Sequence, residues 1–311
     1  MDIQRVHVVI NPAAGQDVPV LATLNRVFQS CAIDWNVSLT KHCGDGRPLA
    51  REAAEAGADV VAVYGGDGTV AEVASGLLGL TTPLAILPGG TGNVMAKELG
   101  IPGDLAQACR LLCHDEHKLR TIDVGQVNDQ HFLLRVGLGL EASVIEQADR
   151  ELKNRLGIFA YLWSALQNLS KPPLARYQLT LDGETIDIEG VNCIVANSGN
   201  LGLAGFHLAP TIRVDDGLLD VVVIQQASLG AMLELMDQIV STRWPLGKSD
   251  SFDQLKQKVR QTFQFWQAKE VTVQANPPQA VQLDGDMLGT GSIRCRILPQ
   301  AIQVIVPSSN K

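Results

Sequence analysis

In the first third of the chain, apolar residues come in short runs of strand length, at 6–10, 35–39, 60–64 and 84–87. Alanine- and leucine-rich stretches, such as 18–31 and 49–56, lie between them. Strand, helix, strand at this spacing predicts a parallel sheet covered by helices. Each run ends in a polar or glycine-rich loop, at 11–15, 40–46, 65–69 and 88–93. Ligands of open α/β sheets bind at the carboxyl ends of the strands, so the four loops are expected to converge on one site.

From about residue 122 the pattern changes. Strand-like runs at 122–127, 132–136, 177–181, 186–188, 191–196, 219–224, 271–274 and 281–283 dominate. Turn signals such as Asn128-Asp129 and Asp182-Gly183 separate them. This predicts a mostly antiparallel, sandwich-like domain. Leu152, Leu156, Phe159, Trp163 and Leu166 mark one helical face, and a second helix is expected over 229–241. The last run, 301–306, fits either domain by periodicity alone.

Composition narrows the classes. The chain has 311 residues, 46% hydrophobic and 19% charged, which suits about two globular domains and excludes a disordered chain, a collagen or a coiled coil. A net charge of −8, shared evenly between residues 1–122 and the rest, disfavours nucleic acid as a partner. The six cysteines show no metal or disulfide spacing and read as free thiols, mostly core, in a reducing compartment. The six histidines show no paired metal spacing. The N-terminus does not read as a signal peptide, and no apolar run is long enough to cross a membrane.

The strongest local signal is Gly65-Gly66-Asp67-Gly68-Thr69 between a strand and a helix. Glycines let backbone N–H groups close on an anion, and the helix start adds free donors and a favourable dipole. Asp67 among those donors would repel a phosphate directly, which fits a carboxylate reaching Mg²⁺. Pro88-Gly89-Gly90-Thr91-Gly92-Asn93 repeats the chemistry, with Thr91 as a cap or a hydroxyl donor. Asn11-Pro12-Ala13-Ala14-Gly15 is a weak signal alone and gains weight from its place after the first strand.

NPAAG, GGDGTVAE and PGGTGNVMAKELGIP, in that order, resemble the catalytic domain of diacylglycerol kinases, sphingosine kinases and bacterial lipid kinases. FLLRVGLGLEA, ANSGNLGLAGFHLAP, DDGLLDV and VQLDGD extend the resemblance through the second domain. It implies a Rossmann-like N-terminal nucleotide domain, residues 1–122 with the return of 298–311, and a β-rich lipid domain, residues 123–297. It implies ATP at Asn11, Pro12, Ala13, Ala14, Gly15, Thr40, Gly65, Gly66, Asp67, Gly68, Thr69, Val70, Ala71 and Thr91. It also implies a structural Mg²⁺ held by the Asp216 carboxylate with the carbonyls of Arg213 and Leu218.

Three departures stand out. Ala71 replaces an asparagine, and Asn93-Val94 replaces Asn-Asp. Asp284-Gly285-Asp286 replaces Asp-Gly-Glu, whose glutamate is the family's base candidate. Aspartate sets its carboxylate back by about 1.5 Å, one C–C bond.

The expected chemistry is phosphoryl transfer from ATP to a lipid hydroxyl, serving phospholipid biosynthesis. Asp286 accepts the hydroxyl proton, Asp67 works with Mg²⁺, and Asp284 orients Asp286 or meets the Mg²⁺-bound nucleotide. Residues 243–269 carry six basic and two acidic residues among aromatics (Trp244, Phe252, Phe263, Phe265 and Trp266), as do surfaces that touch bilayers. The expectation is a cytoplasmic protein, without a transmembrane segment, that meets its lipid by peripheral contact at the inner membrane face. The rings also fit a domain core. Two other functions stay open: a nucleotide- or lipid-binding protein that has lost catalysis, and a kinase of a soluble substrate of the NAD-kinase kind.

Overall fold

A computed structural model describes residues 2–15, 18–113, 117–139, 174–200, 212–225 and 263–308. The helices expected at 152–166 and 229–241, and most of the aromatic and basic stretch, lie outside the described residues.

The first part contains β1 (Arg5–Ile10), α1 (Val20–Ser30), β2 (Asp34–Leu39), α2 (Gly46–Glu55), β3 (Val60–Gly65), α3 (Asp67–Leu77), β4 (Leu84–Pro88), α4 (Val94–Glu98) and α5 (Leu105–Arg110). The four strands are parallel, in the order β2-β1-β3-β4. Residues 60–64 and 84–87 are buried throughout, as expected for central strands covered on both faces. Each Val, Ile or Leu so buried contributes about 1.5–3 kcal/mol. Gly76 lets α3 press against the Arg47 carbonyl and Ala50 of α2, where any Cβ would collide.

The second part contains β5 (His117–Val127), β6 (Gln130–Phe132), β7 (Arg135–Gly139), β8 (Ala175–Leu181), β9 (Glu184–Gly190), β10 (Asn192–Ala196), β11 (Leu219–Ile224), β12 (Phe263–Ala268), β13 (Glu270–Asn276), β14 (Ala280–Leu283), β15 (Asp286–Thr290) and β16 (Ile293–Pro307). One antiparallel sheet runs β12-β11-β10-β7-β14-β15. The other continues the parallel sheet outward, β4-β16-β13-β8-β9, with β5 and β6 beside it. Val136, Leu138, Cys193, Val195, Val221 and Val223 of the first pack against Tyr177, Leu179, Val271, Val273 and Cys295 of the second. The fold is therefore α/β with a C-terminal β-sandwich, as the sequence patterns suggest.

Two long strands join the halves. β16 lies parallel to β4 at Val304–Leu84 and antiparallel to β5 from Cys295–Val127 to Pro307–His117. Residues 122 and 123 both fall within β5, and 297 and 298 within β16. A bulge interrupts the ladder between Leu298 and Ile302, where Gln300 takes φ +50°. The fully buried Asp123 pins it. One carboxylate oxygen accepts from Gln300 N and the other from Gly217 N, both at 2.7 Å.

Two expectations need correction. Residues 132–136 are not one strand. β6 ends at Phe132 and β7 starts at Arg135, because the Asp284 carboxylate takes the N–H groups of Leu133, Leu134 and Arg135 at 2.8–3.1 Å. Donors captured this way cannot continue a ladder. The cysteines are not all free either. Cys31, which follows α1, is disulfide-bonded to Cys113, which follows α5, with Cα atoms 5.3 Å apart. Cys43, Cys109, Cys193 and Cys295 are free, all buried except Cys43.

Candidate active site

The four loops meet at the carboxyl edge of the parallel sheet. Loops one and three flank the β1–β3 crevice, the point where strand order reverses. Asn11 bridges them. Its Nδ2 donates to Thr69 Oγ1 at 2.9 Å, and its Oδ1 accepts from Ala13 N at 2.9 Å. Pro12, Ala13 and Gly15 are exposed, Ala14 packs partly on the core, and a Cβ on Gly15 would meet open space. Thr40, buried after β2, donates its N–H to Ile10 O at 2.9 Å.

Loops three and four touch through glycine. Gly89 N and Gly90 N donate to Gly65 O at 3.0 and 3.2 Å. A Cβ on Gly90 would sit 2.6 Å from Gly66 Cα, and one on Gly65 2.7 Å from the Thr69 side chain. Neither glycine tolerates a side chain here. Val70 is buried with its N–H on Gly66 O, and Ala71 packs partly on the core. Thr91 is exposed. Asn93, at φ +47°, closes loop four by accepting from Gly90 N and donating to Gly90 O.

Asp67 begins α3 yet caps α4. Its Oδ1 accepts from Met95 N at 3.1 Å, and Val94 N also donates to the carboxylate. Burial pushes its carboxyl above the usual range, opposed by those two N–H groups and by the charges of Lys97 and Arg135. The second oxygen lies 2.9 Å from where a Cβ on Gly92 would be, so only glycine leaves it clear. A carboxylate at the meeting point of two glycine loops fits a Mg²⁺ held directly or through water.

Glu72 is a contributor whose role the sequence did not disclose. Its two oxygens accept from Gly44 N at 2.8 Å and Gly46 N at 2.9 Å, which ties loop two to α3. Its place within GGDGTVAE was the available signal. The capture is a tertiary contact that spacing alone does not reveal.

From the other half, β14 and β15 form a hairpin with Asp284 at φ +46° and Gly285 at φ +106°, the conformations that Asp-Gly favours in a two-residue turn. Asp284 is fixed twice to Arg135: its carboxylate accepts from Arg135 N at 2.8 Å, and its own N donates to Arg135 O at 3.0 Å. Burial pushes the Asp284 carboxyl up to about 6, against the pull of the three N–H groups and the Arg135 charge. Its oxygens are thus occupied by backbone. Asp286 is exposed, and its Oδ2 lies 3.6 Å from the Cβ position of Gly68. The hairpin therefore sets the expected base candidate against the glycine loop.

Arg213, Asp216 and Leu218 lie apart, on the turn before β11, with no hydrogen bond or ion pair to the four loops among the described residues. Asp216 Oδ1 accepts from Leu218 N at 3.1 Å. Burial raises its carboxyl pKa, and the charge of Asp123 adds to that. Asp215 is engaged by Arg120 at 2.8 Å and Arg213 at 3.2 Å. Among the described residues no three His, Cys, Asp or Glu side chains group as metal ligands. A cation at Asp216 would need backbone carbonyls and water besides that carboxylate, and such an all-oxygen set suits Mg²⁺.

Residues 5–127 match the model of the diacylglycerol kinase catalytic domain. Residues 135–306 match that of the YegS C-terminal NAD kinase beta sandwich-like domain. The chain is 29% identical to a diacylglycerol kinase of Bacillus subtilis over 75% of this chain and 78% of that protein. It is 27% identical to an uncharacterized protein of Synechocystis over 98% of this chain and 70% of that one. A crystal structure of a diacylglycerol kinase from Bacillus anthracis superposes with a TM-score of 0.78 at 27% identity, covering 99% of this chain and 98% of that one. Both halves match in order, and the matched segments contain the glycine loops and the Asp284–Asp286 hairpin: the chain belongs to the diacylglycerol-kinase-like lipid kinase family.

Proposed function

We propose that the protein transfers the γ-phosphate of ATP to the hydroxyl of a lipid alcohol, diacylglycerol or a related lipid. The observation that carries this reading is the approach of Asp286 to Gly68, whose Cβ position lies 3.6 Å from Asp286 Oδ2. It joins a carboxylate from the β-rich half to the phosphate-type loop of the other half. The similarity to the Bacillus subtilis diacylglycerol kinase supports the acceptor class.

In this reading, the N–H groups of loops one, three and four hold the phosphates, with Thr40, Val70, Ala71 and Thr91 completing the nucleotide site. Asp67 would hold Mg²⁺, which when bound neutralises phosphate charge. Asp286 accepts the proton of the lipid hydroxyl as it attacks, and Asp284 fixes the hairpin that carries it. Asp216, with the carbonyls of Arg213 and Leu218, would hold a second, structural Mg²⁺. No helix among the described residues is long and apolar enough to cross a membrane, and peripheral contact would bring the lipid to Asp286.

Incubation with γ-labelled ATP, Mg²⁺ and a total lipid extract tests the proposal. A labelled product in the organic phase is expected. Label confined to an aqueous nucleotide, or ATP bound without turnover, would overturn it.

A further inference from the structure

Gln282 is a polar side chain that the roles above leave unused. It lies in the middle of β14, opposite Gly137 of β7 and Met287 of β15, and is 3% exposed. Its neighbours Val281 and Leu283 turn toward the apolar core between the two sheets. Strand alternation therefore turns Gln282 to the opposite face. Ile194 and Val222, in the same cross-strand row, share that face and stay outside the sandwich core. The row is otherwise small or apolar, and an aliphatic residue would fit it.

The Gln282 amide nitrogen is buried without a hydrogen-bond partner. Buried polar groups left unpaired are rare and costly in native proteins. This one lies 4.0 Å from the Cβ position of Gly285, between Asp284 and Asp286. The unpaired donor is thus beside the hairpin that carries Asp286 to Gly68.

We infer that Gln282 is a specificity contact for the acceptor: its side-chain amide donates to the carbonyl oxygen of an acyl group carried by the carbon next to the one bearing the reacting hydroxyl. The inference rests on the lipid-kinase reading and deepens it. An ester or amide carbonyl pairs the donor. An ether oxygen is a poorer acceptor, and an ammonium offers only donors, so acceptors bearing either leave the amide unpaired. Sites built around a buried donor discriminate strongly against analogues that leave it unmet.

The test crosses two acceptors with two side chains. A 1,2-diacylglycerol and its 1,2-dialkyl ether analogue are presented in identical mixed micelles to the wild type and to Gln282→Leu. Wild type is expected to favour the ester by about tenfold or more in kcat/KM. In Gln282→Leu the ester should fall to the ether's level, with the ether rate and the KM for ATP within about threefold of wild type. Removing an unpaired amide from an apolar row should leave the melting temperature unchanged or higher. Gln282→Met, nearly isosteric, should reproduce the pattern if leucine packs badly. Equal losses on both acceptors, or an unchanged ester preference, would overturn the assignment while the lipid-kinase reading stands. A wild type that phosphorylates no lipid alcohol overturns both.

Discussion

Asp67 offers a hydrogen-bond acceptor to α4 and a charge to the loops, and the two can be separated. Asp67→Asn keeps an oxygen for Met95 N and loses the charge. Its melting temperature should stay within a few degrees of wild type while Mg²⁺-dependent turnover falls by roughly 10²-fold or more. Asp67→Ala should lose both stability and turnover. Near-normal turnover in Asp67→Asn would exclude a metal role. Asp286→Asn should cut lipid phosphorylation by roughly 10²-fold with ATP affinity unchanged, the scale of general-base catalysis. Asp286→Glu should hold or raise the rate, and a normal rate in the Asn variant would move the base elsewhere. Asp220, fully buried on β11, accepts from Gln267 at 2.9 Å through one oxygen and leaves the other unpaired. Burial pushes its carboxyl up to about 7, with the Asp216 charge adding. An acid that binds its proton more tightly when folded stabilises the fold below its unfolded pKa of about 4. That contribution is lost as pH climbs through the folded value. Asp220→Asn cannot ionise, so its melting temperature should gain on wild type more at about pH 8 than at about pH 5. An equal difference at both pH values would contradict the shift.

The elements differ in how far the sequence exposes them. Loops three and four were legible because glycine is a local signal, needed wherever backbone meets backbone. Gly66 and Gly90 are such a pair, and Gly90→Ala should weaken ATP binding by about tenfold or more, since overpacking displaces both loops. Gly103→Ala, where a Cβ meets open space, serves as the control. Titration with a fluorescent nucleotide reads both, and equal affinities would show that the loop contact does not shape the site. What escaped the sequence was set at a distance. The break between β6 and β7 is imposed by Asp284, about 150 residues away, and the Cys31–Cys113 disulfide spans a separation of 82. Residues 286–290 alternate weakly and are mostly exposed, so their hydrophobic pattern gives no strand signal. The Asp-Gly turn that starts β15 was visible only as a chemical motif.

At the scale of the whole molecule, β5 and β16 make one ladder through both halves, and Asp123 fastens its irregular point. Asp123→Ala would leave Gly217 N and Gln300 N without their acceptor. Hydrogen bonds to charged groups are worth about 1.5–3 kcal/mol each, so a loss of roughly 3 kcal/mol or more is expected in denaturant unfolding. A loss below about 1 kcal/mol would mean that the bulge supports itself. The parallel pairing of β16 with β4 also bears on the order of synthesis. A ribosome delivers β4, at Leu84–Pro88, well before β16, which begins at Ile293. Until β16 emerges, β4 presents an edge that no other described strand pairs, so the half made earlier is the half that must wait to be finished.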